Sequence, residues 1–207
     1  MQGLPPQKKE HMSNYKPRIC YEGAHYHIYN RGNNKQKIFL EKNDYLFYLR
    51  KLREYKEKYN VTILCYCLMP NHIHLILSQN TEVPISKFVL SLHTSYSMYF
   101  NKKYNKIGHL FQGRFGQKII DKDEYLLQVS SYIHINPLEA NLVRKLEDYQ
   151  WSSYPDYIGI REGTLCDKDI ILSGTTPEKY RESTEEVKEI LLFKDVYFEA
   201  VPENIQP

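Results

Sequence analysis

Two apolar strands separated by only three residues constrain this chain more than any other feature. Val61–Leu68 (VTILCYCL) and residues 72–78 (HIHLILS) are rich in β-branched and aromatic side chains, and Met69, Pro70 and Asn71 break the run between them. So short a gap leaves room for an antiparallel hairpin and for no crossover helix. The run ends near residue 69, far short of the roughly 18 apolar residues of a membrane-spanning helix, so no span is expected.

Periodic segments flank this hairpin on both sides. Residues 24–30 (AHYHIYN) alternate as a strand and lead into a turn at 31–34. A helix capped by Asn43 or Asp44 follows, with Leu46, Leu49, Leu52, Arg53 and Lys56 at helical spacing as far as Tyr59. After the hairpin, Pro84 opens a second helix carrying Phe88, Leu92 and Met98 to about Tyr104. Residues 108–113 form a loop, 114–120 a strand, and a third helix runs from Asp121 or Asp123 to about Ile135, stopped by Pro137. Beyond Trp151 only short elements are expected. The order predicts an α+β fold: a ferredoxin-like split βαβ sandwich with an antiparallel sheet and an additional helix. The 207 residues suit one compact domain. Residues 1–20 read as a flexible tail, 21–159 as the folded unit and 160–207 as an acidic extension.

Charge narrows the partner. Residues 1–120 carry 19 Lys and Arg against 7 Asp and Glu, whereas residues 121–207 carry 9 against 18. A basic block of that size suits a polyanion, because each neutralised phosphate releases counterions, and 19 tyrosines add stacking surface for single strands. With 42% hydrophobic and 26% charged residues, a collagen-like or wholly disordered chain is excluded. The N-terminal residues contain no apolar segment of a secretory signal, and Cys20, Cys65, Cys67 and Cys166 lack framework spacing. The cytoplasm and reduced thiols are therefore expected.

Two pairs of residues carry the chemistry. His72 and His74, two apart on a strand, project from one sheet face, and two adjacent imidazoles suit a shared divalent metal. Tyr132 and Asn136, four apart on a helix, share one face and offer a phenol and an amide oxygen. Each pair alone is equally consistent with packing: a satisfied strand histidine, a core tyrosine, an asparagine ending a helix. His134 points to another helical side and is a poor general base. Two other readings use the same residues: Cys65 and Cys67 with the two histidines as a structural zinc set, or a non-catalytic module that stacks single-stranded nucleic acid on its sheet.

Five ordered strings, YHIYNRGNN (26–34), MPNHIHLIL (69–77), GHLFQGRF (108–115), YLLQVSSYIHINPLEANLV (125–143) and WSSY (151–154), resemble the single-tyrosine HUH transposases, most of all the branch of REP-associated tyrosine transposases. The resemblance covers about residues 21–159, which become the catalytic domain. It implies a metal-dependent single-stranded DNA endonuclease and strand transferase that acts at hairpin-bearing DNA through a 5′-phosphotyrosine. By the same resemblance His72 and His74 are the HUH histidines, Tyr132 the nucleophile and Asn136 the third ligand of Mg2+ or Mn2+. Related insertion-sequence enzymes often have Gln in place of Asn136, and the branch commonly has Val and Gly where Leu138 and Asn141 stand here. Arg31, Lys102, Lys103, Lys106, Arg114 and Lys118 are the expected phosphate contacts. The partner is single-stranded or hairpin DNA, with no membrane, and the protein is a monomer or a homodimer.

Overall fold

The computed structural model describes residues 20–192 apart from 122. Most of the expected N-terminal tail, residue 122 before the third helix and the last fifteen residues of the acidic extension lie outside the described residues. The order is β1 (His25–Arg31), α1 (Lys42–Tyr59), β2 (Val61–Leu68), β3 (His72–Gln79), α2 (Ile85–Tyr104), β4 (Gly116–Ile120), α3 (Asp123–Glu139), the short helices α4 (Tyr154–Tyr157) and α5 (Asp169–Leu172), and α6 (Pro177–Leu192). The strands form one sheet in the order β2-β3-β1-β4 with every neighbour antiparallel. This is the expected ferredoxin-like α+β sandwich.

Strand alternation sorts residues between two layers. Tyr26, Ile28, Tyr66, Ile73, Leu75 and Leu77 pack with Tyr48 and Leu52 of α1 and Phe88, Leu92 and Tyr96 of α2. Cys65, Cys67 and Ile76 pack on the other side with Leu126, Val129 and Ile133 of α3 and with Tyr180 of α6. Each large side chain so buried contributes roughly 1.5–3 kcal/mol. Two of the apolar positions expected on the inner faces of α1 and α2 fall outside these cores. Leu46 of α1 and Met98 of α2 are 45% and 69% exposed, and Tyr45, Tyr48 and Leu52 make the inner stripe of α1 instead.

The outer edge of β2 is covered. Leu68 N–H donates to Trp151 O, Ser153 N–H to Tyr66 O and Asp167 N–H to Ile63 O, so the WSSY segment closes an edge that would otherwise invite pairing with another chain. Beyond it, α6 spans 16 residues and packs on α3, where only short elements were expected. Among the described residues no helix is long and apolar enough to cross a membrane.

Asp44 ties α1 to α2. It is not the helix cap: Glu41 occupies that position, and the Asp44 carboxylate turns back to accept the Leu40 and Glu41 amides. The same buried carboxylate accepts Tyr99, Tyr104 and Lys103 from α2. Although burial opposes its charge, these donors hold its pKa below the ordinary carboxylate value. Asp44→Ala leaves the Leu40 and Glu41 amides and the Tyr99 and Tyr104 hydroxyls without their acceptor, and urea unfolding is expected to show a loss of about 3–5 kcal/mol, more than for any exposed charge of α1.

Candidate active site

β1 and β3 lie side by side in the sheet centre with Arg31 opposite His72 and Tyr29 opposite His74. The α3-facing positions of these strands therefore hold His27, Tyr29, Arg31, His72 and His74. The rings of His72 and His74 stand 5.0 Å apart and nearly perpendicular, 5% and 1% exposed. From α3, the Tyr132 ring reaches within 6.4 Å of the His74 ring, edge to face. Asn136, one turn further along α3, comes close enough to the His72 ring to raise its pKa. All four residues that the sequence paired are thus gathered between β3 and α3.

Both imidazoles are neutral. Burial, eased by Asn136 and reinforced by the charge of Arg31, holds His72 at about 4. Burial together with the neighbouring His72 and His27 pushes His74 well below its ordinary value. The ring nitrogens are already assigned in part. His72 Nδ1 lies 2.7 Å from Asn71 Oδ1, and His74 Nδ1 lies 3.0 Å from His27 Nε2. A neutral imidazole has a single N–H. When His72 Nδ1 donates its proton to Asn71, Nε2 is left with its lone pair, the form in which an imidazole binds a cation.

Pro137 aims the amide of Asn136. The helix was expected to stop there, yet α3 continues to Glu139. Proline supplies no N–H for Ile133 O, its partner four residues back. Asn136 Nδ2 takes that role, donating to Tyr132 O at 2.8 Å and to Ile133 O at 3.3 Å. With its nitrogen bound to the helix backbone, Oδ1 is left for His72. α3 then closes on Asn141 at φ 54°, a left-handed position that asparagine tolerates nearly as glycine does, which accounts for Asn at a site where Gly is common.

The set of His72, His74 and Asn136 fits a divalent cation: two neutral imidazoles with partnered Nδ1 atoms and one oriented carboxamide oxygen. Among the described residues no three His, Cys, Asp or Glu side chains gather for a metal, so the zinc set with Cys65 and Cys67 is not assembled. Burial keeps both thiols protonated, and Cys65 Sγ lies 3.3 Å from His134 Nε2. Tyr132 is protonated as well, its pKa driven well above 10 by burial and by the charge of Glu139. His134 is sequestered on the far side of α3, bonded to Tyr180 and Ser153.

The expected phosphate contacts divide. Arg31 and Lys118 are next to the histidines: Arg31 is opposite His72, Lys118 is opposite His27, and Arg31 Nε donates to Gln112. Lys103 is held at 2.5 Å by Asp44 and 2.6 Å by Glu41, two carboxylates that offset its charge. Lys102 and Lys106 are exposed at the C-terminal end of α2, whose core side faces the opposite layer, and Arg114 borders a groove against α2.

Three contributors escaped sequence reading: His27, Asn71 and Pro137. Two-residue alternation back from Arg31 identifies His27, but nothing in the sequence marks the other two as orienting groups. Gly116 is a fourth. A Cβ there would lie 1.9 Å from a Tyr29 ring carbon, so glycine lets that ring lie across β4 beside His27 and His74.

Comparison with known proteins gives the family and the fold. A family model described as IS200-like transposase matches residues 20–136, a span that includes His72, His74, Tyr132 and Asn136. A protein of Haemophilus influenzae named as a REP-associated tyrosine transposase is 28% identical over 156 residues, covering 69% of this chain and 86% of that protein. A solved REP-associated tyrosine transposase bound to a REP hairpin superposes with a TM-score of 0.56 at 17% identity, covering 75% of this chain and 94% of the other. That likeness establishes the shared fold.

Proposed function

This chain belongs to the IS200-like transposase family, and from that premise we propose that it cuts and rejoins single-stranded DNA beside a hairpin, through a covalent bond to Tyr132. The convergence of His72, His74, Asn136 and Tyr132 between β3 and α3 carries this reading. A divalent cation, Mg2+ or Mn2+, when held by His72, His74 and Asn136, supplies positive charge to an oxygen of the scissile phosphate. The residues of the chain do the rest. Arg31 and Lys118 draw the phosphate into the site and offset its charge. Asn71 and His27 fix the two imidazoles through their Nδ1 atoms, so neither ring turns away. The Tyr132 oxygen attacks phosphorus, the bond to the 3′ oxygen breaks, and the proton that the phenol gives up to solvent is matched by one that the departing 3′ oxygen takes up as a hydroxyl. Because the phosphotyrosine keeps a phosphoester bond, another 3′-hydroxyl reverses the step without ATP. The hairpin is inferred from the related transposase, which was solved bound to a REP hairpin, and the single strand from the basic and aromatic surface.

The test uses hairpin-bearing single-stranded DNA with Mn2+ and denaturing gels. Wild-type protein is expected to form an adduct that disappears with EDTA. His72→Ala is expected to lose the adduct while its DNA affinity changes by less than about threefold, because the basic surface supplies most of the binding. Adduct formation that is indifferent to EDTA, or an equal loss of binding and cleavage, overturns this assignment.

The role of Pro137 gives a second expected result. Pro137→Ala restores a main-chain N–H to Ile133 O and frees the Asn136 amide. Urea unfolding should then show a protein at least as stable, whereas Mn2+ affinity by calorimetry should fall by about tenfold, as for other losses of an orienting group.

A further inference from the structure

The pairing of β1 runs past its last residue. Gln112 N–H donates to Arg31 O and Asn33 N–H to Leu110 O, each at 2.8 Å, and Gly32 faces Phe111 as an isolated bridge. Residues 110–112 thus continue, beyond a short break, the side of β1 on which β4 lies. On the β3 side Gly32 N–H donates to Asn71 O at 2.7 Å. A Cβ at Gly32 would lie 2.1 Å from Gln36 O, so only glycine lets the backbone pass here. The end of β1 is therefore fixed from both sides.

The Gln112 side chain works from this fixed position. Its Oε1 accepts Arg31 Nε–H at 2.8 Å, so one glutamine holds both the backbone and the side chain of one arginine. A guanidinium carries its five N–H donors in a rigid plane. With Nε–H committed, that plane is set and the two Nη groups point away together. Among the described residues neither Nη nitrogen has a partner. The acceptor is also uncharged. Lys103 and Arg161 are held by carboxylates, which offset their charge, whereas the amide of Gln112 fixes Arg31 and leaves its charge whole. Direction follows from the sheet. Arg31 is opposite His72, and opposite residues of an antiparallel pair project from one face with Cβ atoms about 4.5–5.5 Å apart. A paired N–H edge beside a phosphate-binding space is the geometry in which arginine grips two oxygens of a phosphate at once.

We propose that Gln112 is a positioning residue: by holding Arg31 through Nε, it presents the paired Nη groups to the non-bridging oxygens of the reacting phosphate beside His72. This rests on the reading of the chain as a DNA-cutting enzyme, and adds to it a residue that acts through Arg31. Gln112→Met keeps the length of the side chain and removes the acceptor at an exposed position, so the fold is retained. Arg31→Lys keeps the charge and has no Nε–H to hold.

Two readouts test this. In single-turnover cleavage of the hairpin-bearing strand with Mn2+, Gln112→Met is expected to be slower by roughly tenfold to a hundredfold while DNA affinity changes by less than about threefold. The same substitution should make no further difference in the Arg31→Lys background, because the two residues act as a unit. The second readout needs no cleavage. In proton–nitrogen spectra of the arginine side chains recorded in EDTA, Arg31 Nε–H should exchange slowly with water in the wild type and rapidly in Gln112→Met. Added hairpin strand should move the Arg31 Nη signals and leave Nε in place. A wild-type rate in Gln112→Met, or equal slowing in both backgrounds, overturns the assignment. The spectra keep the two readings separate. A wild type that forms no adduct on any DNA, but whose Arg31 Nη signals respond to the strand with Nε held, removes the nuclease and leaves the clamp. An adduct from a protein whose Arg31 Nε–H is unprotected does the reverse.

Discussion

Tyr132→Phe is expected to abolish the covalent protein–DNA adduct and to lower strand cleavage by roughly a thousandfold or more, while DNA affinity and fold are retained. The size follows from removing the attacking atom itself. The Tyr29 ring lies 6.5 Å from that of His74, nearly as close as Tyr132, so Tyr29→Phe is the control and should keep the adduct. Two other hydroxyl-bearing rings of this layer are committed elsewhere. Tyr180 is bonded to His134 and Ser130 on the far side of α3, and Tyr149 donates to Leu68 O. The tyrosine is half-buried, so loss of its hydroxyl leaves no buried partner unsatisfied, and unfolding midpoints of the two proteins should coincide. Residual adduct in the phenylalanine variant would move the nucleophile to another residue and take the proposed chemistry with it.

The second large effect is a loss of stability in mild acid. In the unfolded chain each histidine titrates near 6.5, whereas burial holds both His93 and His134 down at about 3 in the folded protein, with the charge of Arg161 helping at His134. Below pH 6.5 the unfolded chain takes up protons that the folded chain refuses. Stability is therefore full above that pH and falls as pH drops toward 3, by up to about 1.4 kcal/mol per pH unit for each ring. His27, held at about 3, and His72, held at about 4, act with the same sign. At pH 5 four such rings cost about 8 kcal/mol, a large share of a total stability of about 5–15 kcal/mol. Urea titrations at pH 7, 6 and 5 check this, and a midpoint that stays flat across that range would contradict the burial of these rings.

Much of this molecule is legible from local pattern. Strand alternation located the hairpin and put His72 and His74 on one face, and helical spacing put Tyr132 and Asn136 together. What remained hidden depends on contacts between distant segments. Asp44 looked like a cap because its residue type favours that position, but three donors from α2 sixty residues away draw its carboxylate inward. Met98 reads as a core residue beside Phe88 and Leu92, but it stands six residues after Leu92, off their stripe, and Tyr96 and Phe100 take the inward positions in its place. Pro137 looked like a stop because a proline removes an amide, and the side chain that replaces that amide belongs to its neighbour. The helix α6 was unreadable for another reason: its inward positions include Tyr180 and Thr184, whose polar ends are satisfied by Ser130, Ser131 and His134, so the segment lacks a plain apolar stripe.

That last contact sets how the nucleophile can move. Tyr180 and Thr184 hold the helix that carries Tyr132 from behind, so the two helices travel as one body. An exchange of tyrosines between two copies of this chain would have to swing the pair together, with pivots before residue 123 and between 139 and 177.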